Sequence, residues 1–273
     1  MVLGIRGGVV YSHVKQKAKP LFNIQGDCVL HGSICEDEEG WTYFGEYFMN
    51  KARQPVRIWR ISKDLLEWEI AYQSDSGMIR HVHGIYRDPF HENVMWVTVG
   101  DFTGECYLLR TDDRFRHIER YGDGSQIWRA VNLFFTRDHV SWLTDSNLEP
   151  NHACRMTRKD GSLTIGQSID SPAWYGCTLE GGKWHMAFTT VERGPAVLTD
   201  TSSILVSQNA FRWQTVSGFK KDFLRPMQVF KYGVISCPSG DMQLESFYLS
   251  GEGLIGLDGK SIRARITVEQ GGE

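Results

Sequence analysis

The chain has 273 residues, of which 41% are hydrophobic and 23% charged, which suits a folded protein with a sizeable core and excludes a disordered or collagen-like chain. Lys and Arg total 30 against 33 Asp and Glu, for a net charge of -3. That near balance excludes a dedicated nucleic-acid clamp, which needs a basic surplus to neutralise phosphates. No apolar run is long enough to span a membrane, and the opening MVLGIRGGVV lacks the basic stretch and apolar core of a secretory leader. A cytoplasmic protein with no membrane and no nucleic-acid partner is therefore expected, its oligomeric state left open. The cysteines, Cys28, Cys35, Cys106, Cys154, Cys177 and Cys237, show no CxxC spacing. They read as reduced thiols, with disulfides as the alternative.

Taken in chain order, one unit recurs: a β-rich stretch, a polar turn and a second β-rich stretch. It occurs at 9–24, 60–70, 108–120, 154–169, 204–216 and 253–266. The residues entering the turns are His13, Ser62, Thr111, Arg158, Ser207 and Gly256, at successive separations of 49, 49, 47, 49 and 49. Between these hairpins lie further pairs of apolar strands joined by Gly, Asp, Asn and Pro. Helical periodicity is almost absent. Four antiparallel strands per period of this length predict an all-β chain, a single β-propeller domain over 1–273. Five complete four-stranded blades run from about 25 to 270, and a hairpin at about 2–24 precedes them, so the ring has six blades or five. A β-sandwich would supply short strands but no such period.

In a propeller the first strand of each blade lines the central channel. Aligning the units puts His31, His83, Arg129, Tyr175 and Met227 at matched positions, with Arg80, His81, Trp128, Trp174 and Arg225 beside them. The neighbouring strand ends on the same face with Glu46, Asp101, Asp145, Glu192 and Glu245. From this set, His83, Tyr175, Asp101, Asp145 and Glu46 are the expected catalytic groups, because imidazole, phenol and carboxylate move protons. His31, Arg80, Arg129, Trp174 and Arg225 are the expected substrate contacts, since Arg forks onto carboxylates and aromatic faces stack on sugars. Arg129 is the strongest, because an Arg in an apolar stretch needs an anionic partner. The bland alternatives are histidines bonded to backbone in the LHG and VHG contexts, turn-capping Asp101 and Asp145, and Trp128 and Trp174 as packing. No cofactor is assigned. A metal ion on His31, His83 and Asp101, or on the His81–His83 pair, is the minor option, since alternate strand residues share a face.

Three of the hairpins resemble the Asp-box, or BNR, repeat of sialidase-like propellers: Ser62, Asp64 and Trp68; Thr111, Asp113 and the Phe115/Ile118 pair; Ser207, Asn209 and Trp213. The SKDLLEW stretch is similar to a hairpin of arabinanase-type propellers, and HVHGIYRDPFHENVMWVTVGD to a blade opening in BNR-repeat proteins described as glycosyl hydrolases. The resemblance implies structural roles for the boxes, with the aromatic plugging a corner of its blade. It also implies a glycoside hydrolase or polysaccharide lyase acting on an acidic glycan at the channel mouth, or a noncatalytic propeller binding a glycan or a protein. Arg80, Arg129 and Arg225 could imitate the sialidase arginine triad and Tyr175 its nucleophile, although the FRIP motif is absent.

Overall fold

The computed structural model describes residues 2–14, 17–26, 28–30, 32–224 and 232–267. Six small sheets follow one another along the chain, and the fold is a six-bladed β-propeller. The first sheet holds β1 (Val2–Arg6), β2 (Val9–Val14) and β3 (Lys17–Asn23). The second holds β4 (Cys35–Glu36), β5 (Thr42–Gly45), β6 (Arg57–Ile61) and β7 (Trp68–Gln73). The third holds β8 (Val82–Arg87), β9 (Met95–Val99), β10 (Cys106–Thr111) and β11 (Glu119–Gly124). The fourth holds β12 (Phe134–Phe135), β13 (His139–Leu143), β14 (Asn151–Thr157) and β15 (Leu163–Ile169). The fifth begins with β16 (Ala173–Leu179), β17 (Trp184–Thr189), β18 (Thr201–Ser207) and β19 (Gln214–Lys220). Then follow β20 (Val234–Ser236), β21 (Asp241–Met242), β22 (Phe247–Glu252) and β23 (Ser261–Ala264). A short 3-10 turn, Gln126–Trp128, is the one helical element among the described residues.

Two details differ from the expected blade count. The N-terminal hairpin is a three-stranded meander, because β1 also pairs with β2 across a Gly7-Gly8 turn. The last sheet keeps three strands, because β21 pairs in parallel with β16 and becomes the fifth strand of the preceding sheet. Side-chain bonds hold β21 there: Gly181 N donates to Asp241 Oδ2 at 2.8 Å, and Leu244 N donates to Glu180 Oε1 at 2.8 Å.

The chain divides into two compact units, Met1–Val131 and Asn132–Glu273, each with three sheets. Within each, apolar clusters fill the gaps between successive sheets. In the first unit Val10, Phe44, Ile61 and Leu65 form one, and Tyr43, Ile58, Ile85, Val97 and Leu109 belong to another. In the second, Phe134, Leu143, Ala187 and Trp213 share one, while Phe188, Val206, Leu249 and Leu254 share another. A strand covered on both faces needs apolar side chains at every position. The central strand β9, reading MWVTV, is buried throughout, whereas the outer strand β7 is largely exposed.

The turns that follow Ser62 and Ser207 are held by local side-chain bonds. Asp64 Oδ1 accepts from Ser62 Oγ at 2.6 Å and Leu66 N at 3.0 Å, and Asn209 Oδ1 accepts from Phe211 N at 3.1 Å and Arg212 N at 2.8 Å. The plugging side chain is not always the expected one. Trp68 stands 39% exposed and stacks on Phe22 at 5.1 Å, while Leu65 fills the corner at a φ of 60°. The 62–68 turn is one residue short of delivering its Trp inward, so the preceding Leu takes the left-handed conformation and the buried place.

None of the six cysteines is disulfide-bonded, and three of them are buried. No helix among the described residues is long and apolar enough to cross a membrane.

His185 on β17 is 1% exposed, and its Nδ1 has no hydrogen-bond partner. Burial pushes its pKa down to about 4. The unfolded chain takes up this proton near pH 6.5 and the native chain only near 4, so stability is complete above roughly pH 6.5 and falls as the pH drops through that window, by about 3 kcal/mol at most. Urea unfolding at pH 7.5 and 5 checks this. His185→Phe is expected to remove about one proton from the pH slope, and an unchanged slope refutes it.

Candidate functional site

The chemistry-bearing side chains of the first unit gather where β8 begins and β9 ends. His81 and His83 are two residues apart and so share a face. The β8–β9 register shifts between Val82 and Gly84, which places His83 at a bulge, a device that re-aims a side chain. Asp101 arrives from the opposite direction. Gly100 turns the chain out of β9 with a φ of 87°, and Glu105 Oε1 accepts from Asp101 N at 3.0 Å and Phe102 N at 2.9 Å. Arg53 Nε donates to Glu105 Oε2 at 2.5 Å, completing that brace. Arg129 follows the 3-10 turn, whose Gln126 Nε2 donates to the Asp101 carbonyl at 3.1 Å.

The side chains converge on the Asp101 carboxylate. Arg80 Nη1 donates to Oδ2 at 2.7 Å, and Arg129 Nη2 lies 3.4 Å from Oδ1. His81 Nε2 is 3.3 Å from Oδ2, His83 Nε2 is 3.1 Å from Oδ1, and the two Nε2 atoms are 3.1 Å apart. The far sides of both rings face backbone oxygens: His81 Nδ1 meets Phe48 O and His83 Nδ1 meets Ala130 O, each at 3.0 Å. Tyr47 stacks on His81 at 4.1 Å. Phe102, half exposed at the edge of the group, has the Arg80 guanidinium 5.3 Å from its ring centre.

Burial lowers the His81 pKa below its ordinary value, opposed by Asp101 and reinforced by His83. With neutral imidazoles, two guanidiniums and one carboxylate leave the cluster with one net positive charge. The imidazole side chains are 3% and 2% exposed, against 14% for Arg80, 11% for Arg129 and 13% for Asp101, so the charged groups are the less deeply buried side of the cluster.

Of the expected site residues, the structure thus brings His83, Asp101, Arg80 and Arg129 together, with His81 as the second imidazole. Glu46 has a different setting. It is wholly buried, with its oxygens taken by Gln25 N, Arg57 N and the Trp59 indole. These bonds tie β6 and the segment after β3 to the end of β5, the geometry of an internal fastener. His31 and Arg225 lie outside the described residues. Tyr175, Trp174 and Asp145 belong to the second unit. There Trp174 meets Tyr175 and Tyr232 edge-on at 6.3 and 5.7 Å, and Asp145 is buried. The sequence carried a signal for His81 in the His-x-His spacing. It carried none for Glu105 or for the Phe48 and Ala130 carbonyls.

No protein-family model matches the sequence, and no curated protein matches it. Solved structures do share the fold. A nidogen/laminin complex matches with a TM-score of 0.56 at 10% identity, covering 91% of this chain and 84% of that one. A structure assigned as TolB from Agrobacterium tumefaciens matches with a TM-score of 0.51 at 9% identity, over 78% and 75% of the two chains. An oligogalacturonate lyase in complex with manganese matches with a TM-score of 0.50 at 8% identity, over 79% of this chain and 61% of that one. At these identities the likeness is one of fold, and function rests on the site.

Proposed function

We propose that the protein is a carbohydrate-active propeller that holds a uronate-bearing glycan at the Arg80–Arg129–Asp101 rim and cleaves it by elimination. The observation that carries this reading is the pair of guanidiniums, 2.7 and 3.4 Å from one partly accessible carboxylate, with a net positive charge around it. A guanidinium offers five donors in a fork; besides their contacts with Asp101, Arg80 Nε donates to Met49 O at 3.1 Å and Arg129 Nη1 lies 3.5 Å from Gln126 Oε1. A substrate carboxylate is the group such a rim selects.

Positive charge beside a carboxylate favours elimination over hydrolysis. Neutralising the carboxylate acidifies the proton on its α-carbon. Once an imidazole of the cluster takes that proton, to return it to the leaving oxygen, the negative charge moves onto the carboxylate, and the guanidiniums stabilise it. The glycosidic oxygen on the β-carbon then departs with the electron pair and is protonated, leaving a carbon–carbon double bond. Hydrolysis gains nothing comparable, since its transition state develops positive charge on the sugar ring. The fold hosts such chemistry elsewhere by name: one structural neighbour is an oligogalacturonate lyase.

The test is incubation with a panel of polyuronates, following both reducing ends and the ultraviolet absorbance of unsaturated products. Both signals are expected to rise together with at least one polymer. Arg129→Ala is expected to slow the reaction about 100-fold or more, as loss of a preorganised charge donor does. Tyr175→Phe and Asp145→Asn in the same assay test the proton-handling roles suggested by their sequence positions. Reducing ends without unsaturation would make the protein a hydrolase. Binding without either signal would make it a noncatalytic glycan-binding propeller.

A further inference from the structure

We propose that His81, His83 and Asp101 form a binding site for one divalent first-row transition-metal ion. The inference stands on geometry within the first unit and is independent of any glycan chemistry.

The first observation concerns tautomers. A carbonyl oxygen can only accept, so the Phe48 and Ala130 oxygens, each 3.0 Å from an Nδ1, require a proton on that nitrogen. Each neutral ring then presents a bare lone pair at Nε2. Those lone pairs face each other at 3.1 Å and face the Asp101 oxygens, His83 against Oδ1 at 3.1 Å and His81 against Oδ2 at 3.3 Å. No donor lies on any edge of this triangle unless something positive is shared within it. A single proton bridges one edge. A cation serves all three.

The second observation concerns size. Two ligand atoms each about 2.1 Å from one ion, at angles between octahedral and tetrahedral, stand roughly 3.0–3.4 Å apart. The two Nε2 atoms stand at such a separation from each other, and each also does from its nearer Asp101 oxygen, His83 from Oδ1 and His81 from Oδ2, so the carboxylate closes the set through its two oxygens. One ligand atom from each residue lies within 4.8 Å of the others.

The third observation is the support behind the ligands. A metal-bound imidazole characteristically donates its other N–H to a carbonyl or carboxylate, which fixes the ring and raises its basicity. Both rings do so here, and Tyr47 packs against His81. Arg80 and Gln126 hold the side chain and the backbone of Asp101. The bulge at His83 brings the second imidazole to the triangle. Two imidazoles and one carboxylate suit Mn²⁺, Fe²⁺, Co²⁺ or Zn²⁺ rather than Ca²⁺ or Mg²⁺, which prefer oxygen alone. Three protein ligands leave further positions for water or for oxygen atoms of a bound molecule.

The experiment uses the whole chain, stripped with chelator and then titrated with Co²⁺, Zn²⁺ and Mn²⁺. Metal content after equilibrium dialysis is expected to reach one ion per chain. The Co²⁺ form is expected to show d–d absorption and two solvent-exchangeable, paramagnetically shifted imidazole N–H proton resonances, one for each Nδ1. The His81→Ala/His83→Ala double variant should lose stoichiometric uptake while keeping its β-sheet circular dichroism. His117→Ala, which removes a 90% exposed imidazole, should retain uptake. No uptake by the folded wild-type protein overturns the site, as does equal uptake by the double variant. If the double variant fails to fold, the two N–H resonances decide: their presence supports the site, and their absence from a Co²⁺-loaded sample refutes it. A chain that binds metal but cleaves no polyuronate leaves this inference standing and defeats the elimination reading, and the converse result does the opposite.

Discussion

Gly100→Ala is expected to be among the most damaging single-methyl additions in the first unit. At this position φ is 87°, and an added Cβ would lie 1.9 Å from the Glu105 carbonyl oxygen and 2.3 Å from its carbon. Both neighbours are backbone, so no side chain can swing away. The backbone conformation alone costs an L-residue about 1–2 kcal/mol. Displacing the 100–105 turn also breaks the bonds from Asp101 N and Phe102 N to Glu105. The combined loss is expected to be about 4 kcal/mol or more, a large fraction of a typical domain's stability. Gly77 is the matched control, with a φ of 84° and nothing within 4 Å of an added Cβ. Gly77→Ala should cost only the conformational part, about 1 kcal/mol. Urea midpoints of the two variants measure the difference. Equal losses would mean that the exit from β9 yields easily and that Asp101 is not held as rigidly as its contacts indicate.

The second large effect is expected at Glu46. Its carboxylate accepts from Gln25 N at 3.0 Å, Arg57 N at 3.1 Å and Trp59 Nε1 at 3.1 Å, with no exposure to solvent. Glu46→Ala strands three donors that now bond a fully buried carboxylate, and a loss of about 3–5 kcal/mol is expected, as when one partner of a buried charged network is removed. Glu46→Gln keeps the shape and one carbonyl acceptor, so it should recover roughly half of that loss. Unfolding curves of the pair, run beside polyuronate turnover, separate a fastener from a catalyst. A fastener loses stability first, and its surviving folded fraction keeps full turnover. If Glu46→Gln instead abolishes turnover at wild-type stability, Glu46 belongs to the chemistry.

Much of the site's composition could be read from the chain. His83, Asp101, Arg80 and Arg129 stood out because strand alternation and a constant blade length place residues at matched positions, and both are short-range rules. The His-x-His spacing put His81 and His83 on one face for the same reason. Other features have no local cause. Trp68 fits its box pattern and still points outward, because the turn between β6 and β7 sends Leu65 into the corner instead. Glu46 carries the same charge as Asp101 at a matched strand end, yet its hydrogen bonds come from two backbone amides and an indole rather than from imidazoles, with the Arg57 guanidinium 3.8 Å away. Which set a carboxylate meets depends on segments far away along the chain.

The order of strands, the turn chemistry and the repeat length were set by the amino-acid sequence alone, because a hairpin and its Asp-type turn are built from residues within a dozen positions of one another. Three things were decided only in the folded chain. One was the parallel docking of β21 beside β16. Another was the commitment of each imidazole Nδ1 to a carbonyl 33 or 47 residues away. The last was the resulting meeting of two lone pairs with one carboxylate. Such contacts depend on how blades pack, and packing is a property of the assembled sheets that no stretch of sequence holds by itself.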